Sequence, residues 1–209
     1  DPRRQIEKEG GAHVYHGTHV AGLMVYDQPE LGLSIYRVLP IQVKYEAKKK
    51  QQLEDENVVF ANLKDSISRA INEGARVINM SLLTRKTNKD NNSYLDQSTD
   101  TFKKTMREIG QLVEAYPQVV LVTAAGNEGD WTDAKTRLQF PCGIKIRNGL
   151  CVGALNKFGN LTAYTNIPLM GNFVAALGDD VLSLFPTQMC DVGNLRQFTE
   201  KADYYVWTR

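Results

Sequence analysis

His16-Gly17-Thr18-His19-Val20-Ala21-Gly22 is the stretch whose reading decides the fold. It places a histidine at the mouth of a short helix. Gly17 is expected to let the backbone turn tightly after His16, and Thr18 to cap the helix that follows. Val20, Ala21, Leu23 and Met24 are small or apolar, as a buried helix requires. A histidine fixed at such a helix start suits general-base chemistry, because its unperturbed pKa lies near ~6.5. The plain alternative is a core histidine satisfied by a carbonyl. The helix is expected to run to about Tyr26 and to end at Asp27-Gln28-Pro29-Glu30.

Outward from this helix the chain alternates. Ser34 to Tyr45 has strand-like composition, broken by Pro40, and Lys48 to Glu56 reads as a charged surface run. Val59, Leu63, Ile67, Ala70 and Ile71 recur at helical spacing, and Gly74 stands where a helix stops. Val77-Ile78-Asn79-Met80-Ser81-Leu82 reads as a buried parallel strand. Thr84 to Asp100 reads as a surface loop. Phe102, Met106, Ile109, Val113 and Tyr116 form the next helical stripe, and Val119 to Ala125 the next buried strand. Leu150 to Leu155, Phe173 to Leu177 and Val181 to Phe185 read as further short strands. This order predicts an α/β fold: a three-layer sandwich with a mainly parallel central sheet, strands lying near Ser34–Tyr45, Arg76–Leu82 and Val119–Ala125.

Composition narrows the partners. With 209 residues the chain can bury one sizeable core. Lys+Arg 25 against Asp+Glu 24 leaves no charge bias toward nucleic acid or an anionic membrane. No apolar run approaches the roughly 20 residues of a membrane span. Asp1-Pro2-Arg3-Arg4 is neither a signal peptide nor an initiator-Met start, so a mature, trimmed or engineered N-terminus is expected. Cys142 and Cys151 flank a turn-prone Arg147-Asn148-Gly149. A bridge between them and three buried thiols, Cys190 included, are both compatible with the sequence.

Ala124-Ala125-Gly126-Asn127-Glu128-Gly129 directly follows a predicted strand. Ligands of open α/β sheets bind at strand carboxyl ends. Gly126 allows close backbone approach there, and the Asn127 amide can donate to a developing oxyanion. Taken alone, the segment reads better as an Asn-Gly-type turn serving only geometry.

The two stretches together reverse the plain readings. H-G-T-H-V-A-G resembles the histidine signature of the subtilisin-like serine proteases, with His16 matching the catalytic base. A-A-G-N-E-G resembles that family's oxyanion segment, with Asn127 as the side-chain donor. Val77 to Leu82 resembles the family strand whose edge pairs with peptide substrate. Ser81 and Leu82 match it, but Leu83 stands where the family usually has Gly, which would narrow the cleft. The resemblance implies a first specificity pocket walled by Ser81-Leu82 and Ala124-Ala125-Gly126, small or apolar residues that favour an uncharged substrate side chain. Phe140-Pro141 and Cys151-Val152-Gly153-Ala154 resemble a fourth family stretch, and the likeness runs from about Gly11 to Val206.

Two family motifs are unmatched. No Gly-Thr-Ser nucleophile segment occurs, and Asp1-Pro2-Arg3 does not match the aspartate strand. The chain is therefore expected to be a single peptidase domain lacking the Asp-bearing strand and the Ser-bearing helix, completed by further segments or a second chain, and inactive alone. Its expected function is serine endopeptidase, supplying His16 and Asn127 for action on a protein or peptide substrate. The rival is an inactive member of the same fold that serves as a binding module. Metal catalysis is disfavoured, because Gly17 stands where an H-E-x-x-H motif needs Glu. No cofactor is assigned. The family commonly binds calcium, but Tyr26 to Ser34 is short and poor in ligands. Asn160-Leu161-Thr162 and Asn91-Asn92-Ser93 are glycosylation sequons only in a eukaryotic secretory setting. The resemblance favours secretion.

Overall fold

A computed structural model describes residues 16–28, 30–38, 49–82, 100–127, 129, 131–132, 142, 145–168 and 171–184. The chain divides into two compact units. One comprises Ile35–Ala176, the other Asp1–Ser34 with Leu177–Arg209.

The Ile35–Ala176 unit is built on a four-stranded sheet. Its elements are helix α2 (Lys49–Asn72), β1 (Val77–Met80), helix α3 (Asp100–Glu114), β2 (Val120–Ala124), β4 (Gly149–Leu155) and β6 (Phe173–Leu177), whose last residue belongs to the other unit. The sheet order is β1-β2-β4-β6. β1 pairs parallel with β2, with Met80 opposite Thr123, and β2 pairs parallel with β4, with Thr123 opposite Cys151. A separate two-stranded parallel ribbon joins β3 (Trp131–Thr132) to β5 (Ile167–Pro168).

The helical stripes explain the layering. Phe60, Leu63, Ile67 and Ile71 of α2 and Met106, Ile109 and Val113 of α3 converge with Met80, Val119, Leu121 and Ile146 into one buried cluster. Each large side chain buried there contributes roughly 1.5–3 kcal/mol. Gly74 ends α2 at φ 89°. Its N–H reaches the Ile71 carbonyl, and the Ala75 N–H reaches that of Ala70, the paired bonds of a left-handed C-terminal cap. Lys64 and Glu108 form an exposed ion pair at 2.6 Å across the two helices.

The other unit holds helix α1 (His16–Val25), which ends in a turn with Asp27 at φ 56°. Residues 181–184 lie against it. The Val181 carbonyl sits 3.3 Å from His19 Nε2, and Ser183 Oγ donates to the His19 carbonyl. A Cβ at Gly22 would come within 2.7 Å of Leu184 Cγ and would also meet Ser183. The smallness of Gly22 is thus a packing requirement.

Several local expectations are corrected. Residues 34–38 form no strand. Tyr36 donates to Glu73 and lies beneath the Arg69 guanidinium, and Asn62 donates to the Val38 carbonyl, so this stretch runs along α2. Residues 39–45, the rest of that expected strand, lie outside the described residues. Lys49 to Glu56, within the run read as charged, form the first turns of α2. Residues 181–184 pack on α1 instead of pairing in a sheet. Helix α1 includes His16 itself, so Gly17 is helical and Thr18 lies within the first turn, past the capping position.

Candidate active site

β2 delivers the oxyanion candidate. Along it Leu121, Thr123 and Ala125 alternate onto the buried face. Sheet pairing continues one step past the strand, where the Ala125 N–H donates to the Val152 carbonyl at 2.8 Å. The chain then turns at Gly126, whose φ of 112° suits glycine. Two long-range backbone bonds fix the turn. The Asn166 N–H donates to the Gly126 carbonyl at 3.0 Å, and the Gly129 N–H donates to the Tyr164 carbonyl at 2.7 Å. Asn127 follows, exposed, at the carboxyl end of β2.

The same register places the expected pocket walls side by side. Met80 is opposite Thr123, so Ser81 and Leu82 leave β1 beside Ala124 and Ala125 leaving β2. Ser81 and Leu82 are half-buried, and Asn79 Nδ2 donates to Ser81 Oγ at 3.0 Å. Ser81, Leu82, Ala124, Ala125, Gly126 and Asn127 thus gather at the carboxyl ends of two neighbouring parallel strands, the edge at which α/β sheets bind ligands. Leu83 lies outside the described residues. His16 is exposed on the first turn of α1, in the other unit.

This segment matches a known family. The subtilase family model matches residues 4–207. The chain belongs to the subtilase family. Solved protease structures carry the same fold: a lanthipeptide protease aligns with a TM-score of 0.61 at 20% identity, over 91% of this chain and 54% of its own length. The epidermin leader peptide processing serine protease EpiP of Staphylococcus aureus aligns with a TM-score of 0.56 at 19% identity, over 80% of this chain and 40% of its own. The chain thus spans about half the length of such structures or less. No curated protein matches it.

Two backbone contacts beside this segment of the subtilase carry no signal in the sequence. The clasp of Tyr164 and Asn166 on Gly126 and Gly129 joins segments far apart in the chain through main-chain atoms, which no side-chain pattern records. The bridge left open above is formed: Cys142 is joined to Cys151, with 5.2 Å between Cα atoms. Cys190 lies outside the described residues. Among the described residues no group of three His, Cys, Asp or Glu side chains could hold a metal ion. No described helix is long and apolar enough to cross a membrane.

Proposed function

We propose that the full-length protein is a serine endopeptidase in which this chain supplies the general base and one oxyanion donor. The observation that carries the reading is the placement of Asn127. It follows a parallel strand in a family of serine proteases, on a turn whose backbone is held from three sides. A donor held in place needs no reorganisation as charge develops on the reacting carbonyl oxygen, which is what oxyanion stabilisation requires.

In the proposed reaction His16 removes the proton of the attacking serine hydroxyl as that oxygen bonds to the substrate carbonyl carbon. The carbonyl electrons move onto oxygen, where the Asn127 amide N–H meets them. His16 then returns the proton to the leaving amine nitrogen as the C–N bond breaks. Water repeats the sequence on the acyl-enzyme. On this reading the serine and the aspartate that orients His16 come from segments other than the motifs present here, and the 209 residues alone are expected not to hydrolyse peptides. The substrate runs extended along the end of β1, pairing at Ser81 and Leu82 by strand addition. Its residue before the scissile bond enters between Ser81-Leu82 and Ala124-Ala125-Gly126, with Leu83 narrowing the cleft. Those walls carry no charge, which suits an uncharged side chain. Secretion is part of the same reading.

The test is labelling of the full-length protein with a fluorophosphonate, with His16→Ala as control. Labelling that His16→Ala abolishes is the expected result. No labelling beside a reactive control protease would make the protein a non-catalytic binding module of the same fold. Peptide hydrolysis by the isolated 209-residue chain, lost in His16→Ala, would refute the assignment of the missing groups.

A further inference from the structure

The disulfide lies directly under the oxyanion segment. Cys151 stands in β4 opposite Thr123 of β2. Cys142 Sγ is 3.2 Å from the Ala124 carbonyl oxygen and 3.3 Å from Thr123 Oγ1, and Thr123 Oγ1 in turn donates to the Leu150 carbonyl at 3.2 Å. Ala125, Cys142 and Cys151 form one buried cluster with Phe173 packed against it, each of the three no more than 5% exposed. Chain leaving the site at Asn127 is covalently returned beneath it at Cys142. A cavity of about 20 Å³ beside the bond, lined in part by Leu121, Thr123, Ile146 and Asn172, has room for a single water.

We propose that the Cys142–Cys151 disulfide is a positioning brace for the Ala124–Asn127 segment, fixing the height and tilt of the oxyanion donor. A cross-link beneath the last paired peptide of β2 limits how far Gly126 and Asn127 can move. A displacement of about 1 Å at a reacting centre can cost as much as a hundredfold in rate. The consequence for rate rests on the proposed function; the restraint on the segment does not.

The experiment uses the full-length protein and begins with unreduced tryptic digestion. Trypsin cleaves after Lys145 and Arg147, between the two cysteines, so a bridged pair appears as two peptides joined through sulfur. Free thiols at Cys142 and Cys151, or pairing of either with Cys190, would overturn the proposal. The bond is then removed in Cys142→Ala/Cys151→Val, which keeps apolar volume in the cluster. Amide exchange at Ala125–Asn127 is expected to accelerate about tenfold, while amides of α3 change by less than about twofold. In turnover assays kcat is expected to fall about tenfold with KM nearly unchanged, the pattern of a group that matters in the transition state. Equal acceleration throughout the sheet and α3, or none at Ala125–Asn127, would overturn the brace. A wild-type protein that hydrolyses no peptide refutes the proposed function alone, and the exchange comparison still decides the brace. If the double variant fails to fold, the same exchange measurement is made on wild-type protein held in dithiothreitol, with the same two outcomes.

Discussion

Asn148 offers the sharpest test of how this sheet is held. Its Nδ2 lies 2.9 Å from the Val113 carbonyl, 3.2 Å from that of Tyr116 and 2.6 Å from that of Val119. Two amide hydrogens thus serve three carbonyls at the end of α3 and the start of β2. Oδ1 has no hydrogen-bond partner among the described residues, so the side chain works here as a donor. Asn148→Ala removes both hydrogens. The Val113 and Tyr116 carbonyls keep the backbone N–H groups of Tyr116 and Val119, so the loss falls mainly on the Val119 carbonyl. The expected cost is about 1–3 kcal/mol. Asn148→Asp keeps the shape but turns a carboxylate toward three carbonyl oxygens, so at neutral pH it should cost more than Ala. Its sign with pH is fixed. The surroundings favour the protonated carboxyl, which raises its folded-state pKa above the unfolded value of about 3.9. Its relative stability is therefore greatest below the unfolded pKa and is lost as pH rises through the folded one. Urea midpoints of the full-length protein, at unchanged m, should show the Asp variant's deficit widening between pH ~4 and ~7 while the Ala deficit stays flat. An Ala cost below about 0.5 kcal/mol, or an Asp deficit that does not vary with pH, would refute the reasoning.

Other outcomes follow from the same structure. Asn127→Ala should lower kcat of the full-length protein by about 10²–10³ with little change in KM, the size seen for such a donor in subtilisin of the same family. Steady-state kinetics on one peptide substrate check this. Gly22→Ala should destabilise the protein, because crowding of Leu184 and Ser183, worth about 1–3 kcal/mol, outweighs the gain of about 1 kcal/mol in helix propensity. A raised thermal midpoint would contradict the packing of residues 181–184 on α1. The Glu108 carboxyl is held below its ordinary pKa, chiefly by its hydrogen bond from Lys64, which outweighs the opposing effect of desolvation, with smaller help from the charges of Lys64 and Lys104. That stabilisation is present above the unfolded pKa and is lost as pH falls through the lowered folded value. The stability difference between wild type and Lys64→Gln should therefore shrink as pH drops through the carboxylate range, and NMR titration of Glu108 should show its pKa rising in the variant.

Much of the fold was legible in the sequence because its signals are local. The stripe Val59-Leu63-Ile67-Ile71 and the stripe Met106-Ile109-Val113 each bury one face, and periodicity records which, while the apolar runs into Met80 and Ala124 mark strands by composition. Gly74 is read as a helix end because only a residue tolerant of positive φ fits there at low cost. The adjacency of Ser81-Leu82 and Ala124-Ala125 was legible too, since a parallel sheet built from those strands brings their carboxyl ends together. Misreadings occurred where tertiary contact overrides local preference. Residues 34–38 have strand composition, but Tyr36 and Val38 find partners on α2. Residues 181–184 look like a strand, yet Ser183 and Val181 bond to His19.

Sequence alone thus singled out the residues proposed for the site, His16 and Asn127 above all, because functional groups are written residue by residue. Tertiary structure alone decided what holds one of them still. The clasp from Tyr164 and Asn166, the three-carbonyl grip of Asn148 and the choice of Cys151 as partner for Cys142 all join distant segments, several through backbone atoms common to every residue. Such contacts exist only once the chain is folded, since main-chain amides and carbonyls carry no residue-specific pattern to read beforehand.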